Sequence, residues 1–140
     1  MSSAKRHNNS ITAIMLDMNG FKAINDTYSH TEGDNALIAL TDILNSVVGS
    51  NGVVIRFAGD EFIIILDKTA SHTVAEYKVL INEAIEKYNQ GSNKPYALSA
   101  SMGGKTFDKL NDEGFDLISE IDKLMYADKA LYYQKNNRRK

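Results

Sequence analysis

The sequence predicts an α/β (α+β) fold, with a central mixed or antiparallel sheet surrounded by helices. Three observations predict it. Runs rich in β-branched and aromatic residues interleave with stretches whose apolar residues recur at helical spacing. Two of the apolar runs, Val53-Val54-Ile55 and Phe62 to Leu66, are separated by a short turn containing Gly59, the mark of a β-hairpin. A hairpin among the strands favours a mixed or antiparallel sheet over a doubly wound parallel one. At 140 residues the chain is one domain.

Each element follows in turn. Residues 1–10 are polar and read as a flexible N-terminal segment, with the domain spanning 11–140. Ile11 to Leu16 reads as a buried strand, and Asp17 stands at its C-terminal end. Met18 to Asp26 reads as a turn leading into a short helix. Asp34 is placed to N-cap the next helix, whose buried face would carry Leu37, Leu40, Leu44 and Val47. Gly49-Ser50-Asn51-Gly52 breaks the chain before the hairpin, which spans about Val53 to Leu66. Ser71 or Thr73 would cap a third helix with the stripe Val74, Tyr77, Ile81, Ala84 and Tyr88. Gln90 to Pro95 reads as a loop. Tyr96 to Met102 alternates like a strand and would be closed by Gly103-Gly104. A loop to about Gly114 and a last helix from about Phe115 to Tyr133 complete the chain. That helix would turn Leu117, Ile121, Leu124 and Leu131 inward.

Composition narrows the function classes. The apolar share is 43%, the charged share 24% and the net charge −2, values ordinary for a water-exposed globular domain. Nothing in that balance points to nucleic acid or to direct membrane contact. Basic residues gather at the end, in Lys135 and Arg138-Arg139-Lys140. The absence of cysteine excludes disulfides and thiolate metal sites. No apolar run approaches the ~20 residues that span a bilayer. Met1 is followed by polar residues to Ser10, unlike a signal peptide. The expected location is cytoplasmic.

The chemistry gathers in Arg56-Phe57-Ala58-Gly59-Asp60-Glu61-Phe62, where two acids sit side by side at a hairpin tip. If the first strand neighbours this hairpin, Asp17, Asp60 and Glu61 converge at one sheet edge. Hard cations such as Mg²⁺ take oxygen ligands, commonly one or two carboxylates plus substrate phosphates. The alternative is that Asp17 ends a strand and the tip acids are turn residues in water. Spacing alone leaves both open. His30 reads as structural, because no second His or Cys stands at ligand spacing. Asn19 and Asp26 read as braces of a turn, Phe21 and Ile24 as core, and Asp128 as a bracing acid. A local ion pair and a substrate contact suit Arg56 equally.

A longer pattern joins these residues. Asp17 to Asp26 (DMNGFKAIND) is followed by His30 and by Gly33-Asp34, then by the hairpin tip, then by Tyr126 to Lys135 (YADKALYYQK). Three blocks in this order, covering Ile11 to Arg139, closely resemble the GGDEF domain of bacterial diguanylate cyclases. The resemblance implies a nucleotidyltransferase that condenses two GTP into cyclic di-GMP and two pyrophosphates, on a fold like nucleotidyl-cyclase and polymerase palm domains. It implies Asp17, Asp60 and the backbone carbonyl of Met18 as ligands of two Mg²⁺ or Mn²⁺ ions per active site. Glu61 would orient or deprotonate the attacking 3′-hydroxyl. Asn25 and Asp34 would read the guanine edge, whose N1–H and N2–H₂ donors suit a carboxylate. Backbone amides around Gly20, Phe21 and Lys22 would meet phosphates, Lys135 and Arg139 would contact the terminal phosphates, and Gly59 would clear space for the nucleotide. The family acts as a homodimer during catalysis, usually under an upstream sensor or regulatory domain.

The chain also departs from that pattern. Ala58 replaces the first motif glycine, Ser29 the glycine before His30, and Arg138 the glycine before Arg139. Gly49 and Gly52 occupy the two positions of the family's inhibitory RxxD site. Glycine supplies neither guanidinium nor carboxylate, so feedback through that site is expected to be absent. The family's opening block is not present, so the sequence is expected to start inside the domain. These departures motivate a second reading, a catalytically inactive module that binds GTP or a protein partner.

Overall fold

A computed structural model describes residues 11–66, 73–107 and 117–137. Strand β1 (Ile11–Met18) leads into the short helix α1 (Phe21–Thr27) and the long helix α2 (His30–Val48). A single 3₁₀ turn, Gly49–Asn51, opens the hairpin of β2 (Gly52–Ala58) and β3 (Glu61–Leu66). Helix α3 (Val74–Gly91), strand β4 (Ala100–Phe107) and helix α4 (Leu117–Asn137) follow. The strands lie in the order β2-β3-β1-β4, and every pairing is antiparallel. The choice between a mixed and an antiparallel sheet therefore falls to the antiparallel form.

Strand residues alternate between faces, and both sets of β1 are apolar because both faces are covered. Ile14, Leu16 and Met18 of β1 join Phe62, Ile64 and Leu66 of β3 against Ile24, Leu40, Leu44, Tyr77 and Ile81. This is the face of α1, α2 and α3. On the other face Ala13, Met15 and Ile63 pack against Ile121 and Met125 of α4. By the same alternation Asp17 lies on the α4 face, in step with Ala13 and Met15.

Several expectations need correction. Helix α2 starts at His30 and is capped by Ser29, whose Oγ accepts from the Glu32 N–H at 3.1 Å. Asp34 is thus in the second turn, not at the cap, and it is exposed. The buried residue at the end of that helix is Val48, with Val47 half-buried. Helix α3 is capped by Thr73 in a reciprocal box with Glu76, and it runs through Gln90 and Gly91. Its buried stripe is Tyr77, Ile81 and Ile85. Ser71 lies outside the described residues.

The last strand differs most. It begins at Ala100, not Tyr96, and passes straight through Gly103-Gly104. A Cβ on Gly103 would stand 2.2 Å from the Met125 backbone nitrogen, and one on Gly104 2.8 Å from the Ala13 carbonyl oxygen. The glycine pair is where α4 and β1 approach β4 most closely, so it marks tight packing instead of a strand end. In α4 the buried residues are Ile121 and Met125. Ile121 is buried and Leu117 packs against it as expected, but Leu124 and Leu131 are 41% and 64% exposed, and Met125 takes the next buried place. Phe115 and the first ten residues lie outside the described residues.

Candidate functional site

The site grows from the C-terminal end of β1. Asp17 pairs directly across from Glu61 of β3 on one side and Ser101 of β4 on the other. The Met18 N–H donates to the Asp60 carbonyl at 3.1 Å, tying the strand end to the hairpin tip. Ala58 closes β2 opposite Glu61, across an irregularity in the pairing. Among the described residues positive φ falls on glycines, and in the tip on Gly59, at 46°. Arg56 turns out to brace the tip, its Nε donating to the Gly59 carbonyl at 2.8 Å. The sheet thus brings Asp17, Asp60 and Glu61 to one end, as the spacing allowed.

Asp17 is 2% exposed, and Lys129 Nζ of α4 is hydrogen-bonded to its Oδ2. Its Oδ1 is buried and has no hydrogen-bond partner among the described residues. Burial pushes the Asp17 carboxyl up to about 6; the Lys129 hydrogen bond pulls it back, while Asp60, within hydrogen-bonding reach, adds to the rise. Glu61 is raised by burial first, then by the negative charges of Asp17 and Asp122. Lys129 loses charge preference through burial, but the hydrogen bond and charge of Asp17 outweigh this and raise it. Like charges facing each other across a sheet are destabilising without a counter-cation. Lys129 and Asp122, both on α4, are site residues that the sequence argument passed over; their i, i+7 spacing on one helix face was the available signal.

Among the described residues, no cluster of three acidic, histidine or cysteine side chains could hold a metal unaided. The donor set nevertheless suits a hard cation that completes its shell with substrate oxygens. Asp17 offers a buried oxygen with no partner, and Asp60 supplies a second carboxylate beside it.

The other end of the site lies across α1 and α2. A Cβ on Gly33 would fall 1.7 Å from Asn25 Oδ1, so the Asn25 side chain rests directly on the Gly33 backbone. Asp34 is the next residue along α2 and is exposed. Asp34, Leu37, Ile38, Thr41, Asp42 and Arg56 line a 410 Å³ hollow. Gly20 caps α1 with φ of 71°, and its N–H donates to the Tyr133 hydroxyl at a long 3.4 Å. Phe21 is half-buried against the core and Ile24 is buried. The Lys22 side chain points to solvent and pairs with Asp26 at 3.8 Å. Asn19 is a brace: its amide donates to Ser99 Oγ at 3.0 Å and its oxygen accepts from Ser101 Oγ at 2.8 Å. Asp128 is another, accepting from the Met102 N–H at 2.8 Å. Lys135 is exposed near the end of α4, two turns beyond the Asp17 contact. Arg139 lies outside the described residues. Gly49 opens the 3₁₀ turn and Gly52 follows it, and neither has a side chain to offer a ligand.

Fold and site together define a class, an antiparallel α/β domain whose central strands end in a cluster of carboxylates. Comparison with known proteins gives the family. The chain matches "Diguanylate cyclase, GGDEF domain" over residues 1–139 and belongs to that family. The signaling protein YkoW of Bacillus subtilis is 37% identical over 130 residues, covering 88% of this chain and 16% of that protein. Diguanylate cyclase A of Treponema denticola is 29% identical over 140 residues, 99% of this chain and 36% of that one. The crystal structure of the diguanylate cyclase SiaD of Pseudomonas aeruginosa, in complex with its activator SiaC, aligns with a TM-score of 0.77. Its identity is 21%, over 92% of this chain and 50% of that one, a likeness of fold. The chain spans between about a sixth and about a third of the curated relatives' length. No helix among the described residues is long and apolar enough to cross a membrane.

Proposed function

We propose that this domain condenses two molecules of GTP into cyclic di-GMP with release of two pyrophosphates, two copies of the domain facing each other to do so. The observation that carries this reading is the meeting of Asp17 and Asp60 at one sheet end, with a buried Asp17 oxygen left without a partner. Asp17, Asp60 and the Met18 carbonyl would hold Mg²⁺ or Mn²⁺, two ions per site. Such ions polarise the α-phosphate and neutralise departing pyrophosphate.

The chain's own residues do the rest. Asp34 accepts from guanine N1–H and N2–H₂, and Asn25, seated on Gly33, completes the recognition of that edge. Adenine lacks those donors in that arrangement, so the pair selects the base. The amides of Gly20, Phe21 and Lys22 cradle phosphate oxygens, and Lys135 with Arg139 answers the charge of the terminal phosphates. Glu61, opposite Asp17, orients the 3′-hydroxyl of one nucleotide and takes its proton as that oxygen attacks the α-phosphorus of the other. The bond from α-phosphorus to the bridging oxygen breaks, and pyrophosphate leaves. The same event in the facing site closes the ring. The strand position of Ala58, with positive φ confined to Gly59 in the tip, supports a catalytic tip over an inactive one. Gly49 and Gly52 support a domain without feedback at the RxxD position.

Incubation with GTP and Mg²⁺ or Mn²⁺, followed by chromatography of the products, tests the proposal. Cyclic di-GMP is expected from the wild type and none from Asp60→Ala, whose folding should be intact. GTP binding without turnover would instead support the inactive, nucleotide-binding reading.

A further inference from the structure

At the sheet end the charge of Asp60 acts on Asp17, and the charges of Asp17 and Asp122 act on Glu61. Among the described residues whose charge acts on Asp17 or Glu61, Lys129 is the one cation. Its ammonium sits on Asp17 Oδ2, within a pair whose acid is 2% exposed and whose lysine is 28% exposed. A cation held through the other oxygen, Oδ1, would sit on the same carboxylate, a few ångströms from this ammonium. We propose that Lys129 sets the metal affinity of this site: its ammonium supplies the positive charge at Asp17, opposes a divalent cation binding through the same carboxylate, and gives way when that cation binds. The inference rests on the reading of Asp17 as a metal ligand.

The surroundings make displacement feasible. The α4 backbone is firmly seated on β4, where Gly103 lets it approach and Asp128 accepts the Met102 N–H. The lysine stem, by contrast, is flexible, and the ammonium is a point charge with rotatable donors. A second resting place is already within reach, since Nζ stands 6.0 Å from the centre of the Tyr126 ring, a residue 54% exposed. Moving there exchanges a buried ion pair for a solvated cation over an aromatic face. An arginine would behave differently, because its planar fork grips a carboxylate through two parallel hydrogen bonds and releases it less readily.

The two substitutions therefore act in opposite directions. In Lys129→Met the charge that repels an incoming Mn²⁺ is gone, and affinity should rise by at least about tenfold, since a unit charge a few ångströms away is worth that even in a well-screened site. In Lys129→Arg affinity should fall below that of the wild type. The measurement is a titration of the full chain with Mn²⁺ alone, reading free Mn²⁺ by electron paramagnetic resonance, with thermal melts in chelator to verify folding. Lys129→Gln takes the place of the methionine variant if that one does not fold. The gain should vanish when Asp17→Asn is added. An affinity that is unchanged or weaker in the neutral variants, or a gain that survives Asp17→Asn, overturns the proposal while leaving Asp17 a ligand candidate. No Mn²⁺ binding by the wild type and the neutral variants alike refutes the reading of Asp17 itself, and the inference falls with it.

Discussion

Replacing Gly33 by alanine separates recognition of the base from stability of the fold. The added Cβ would stand 1.7 Å from Asn25 Oδ1, 2.7 Å from Asn25 Cγ and 3.3 Å from Phe21 Cε1. The two close atoms belong to the end of a short side chain, so Asn25 rotates away instead of the helices parting. Gly33 lies inside α2, where alanine is favoured over glycine by about 1 kcal/mol. That gain offsets much of the strain of moving Asn25, and the midpoint of urea unfolding should shift by less than about 1 kcal/mol equivalent. The nucleotide has no such compensation. Losing a hydrogen bond from a group that reads the guanine edge costs about 1 to 1.5 kcal/mol, close to tenfold in affinity. The assay is calorimetric titration with a non-reacting GTP analogue, alongside urea unfolding of the same preparation. Unchanged affinity in a variant of unchanged stability would refute the placement of Asn25 as a base reader. A large loss of stability would refute the claim that the collision is confined to one movable side chain.

Two further outcomes follow from the same geometry. In Gly103→Ala the new Cβ meets the backbone of α4, 2.2 Å from Met125 N and 2.3 Å from Leu124 C, with nothing flexible to give way; a loss of about 3 kcal/mol or more is expected in urea unfolding, the upper end for overpacking. For Asp17, a folded-state pKa raised from 3.8 to about 6 means that the native state takes up a proton more readily than the unfolded chain. In metal-free buffer the wild type should therefore gain stability relative to Asp17→Asn, by roughly 1 to 3 kcal/mol, as pH falls from about 6 toward 4. Equal pH slopes for the two proteins would contradict the burial of an ionised Asp17.

Much of the fold was legible because it is written in local patterns. The run Ile11 to Leu16 is apolar on both faces, which is what a central covered strand requires, and β1 is that strand. The Gly59-Asp60 tip between two β-branched runs specified the hairpin through turn chemistry. The errors share a cause. Tyr96 to Ser99 alternates like a strand, yet Tyr96 turns aside, its hydroxyl donating to Glu32 Oε1 at 2.8 Å. Gly103-Gly104 looks like punctuation, yet it lies mid-strand because a helix on one face and a neighbouring strand on the other leave no room for a side chain. Leu124 and Leu131 fit a helical stripe as well as Met125 does. The line along which α4 meets the sheet, not periodicity, chose between them.

The site divides in the same way. By itself the sequence pointed to the acids Asp17, Asp60 and Glu61 and to the polar residues Asn25 and Asp34 as the proposed site, and it held the order of blocks that marks a GGDEF domain. Those are matters of residue type and spacing along one chain. Only the tertiary structure decided that Asp17 stands directly opposite Glu61, that one of its oxygens is buried without a partner, and that Lys129 occupies the other. Lys129 and Asp17 are 112 residues apart, and no local rule relates positions so distant. Their meeting depends on strand register and on the seating of α4 over Gly103. The balance of charge at the site is therefore a property of the packed sheet and helix.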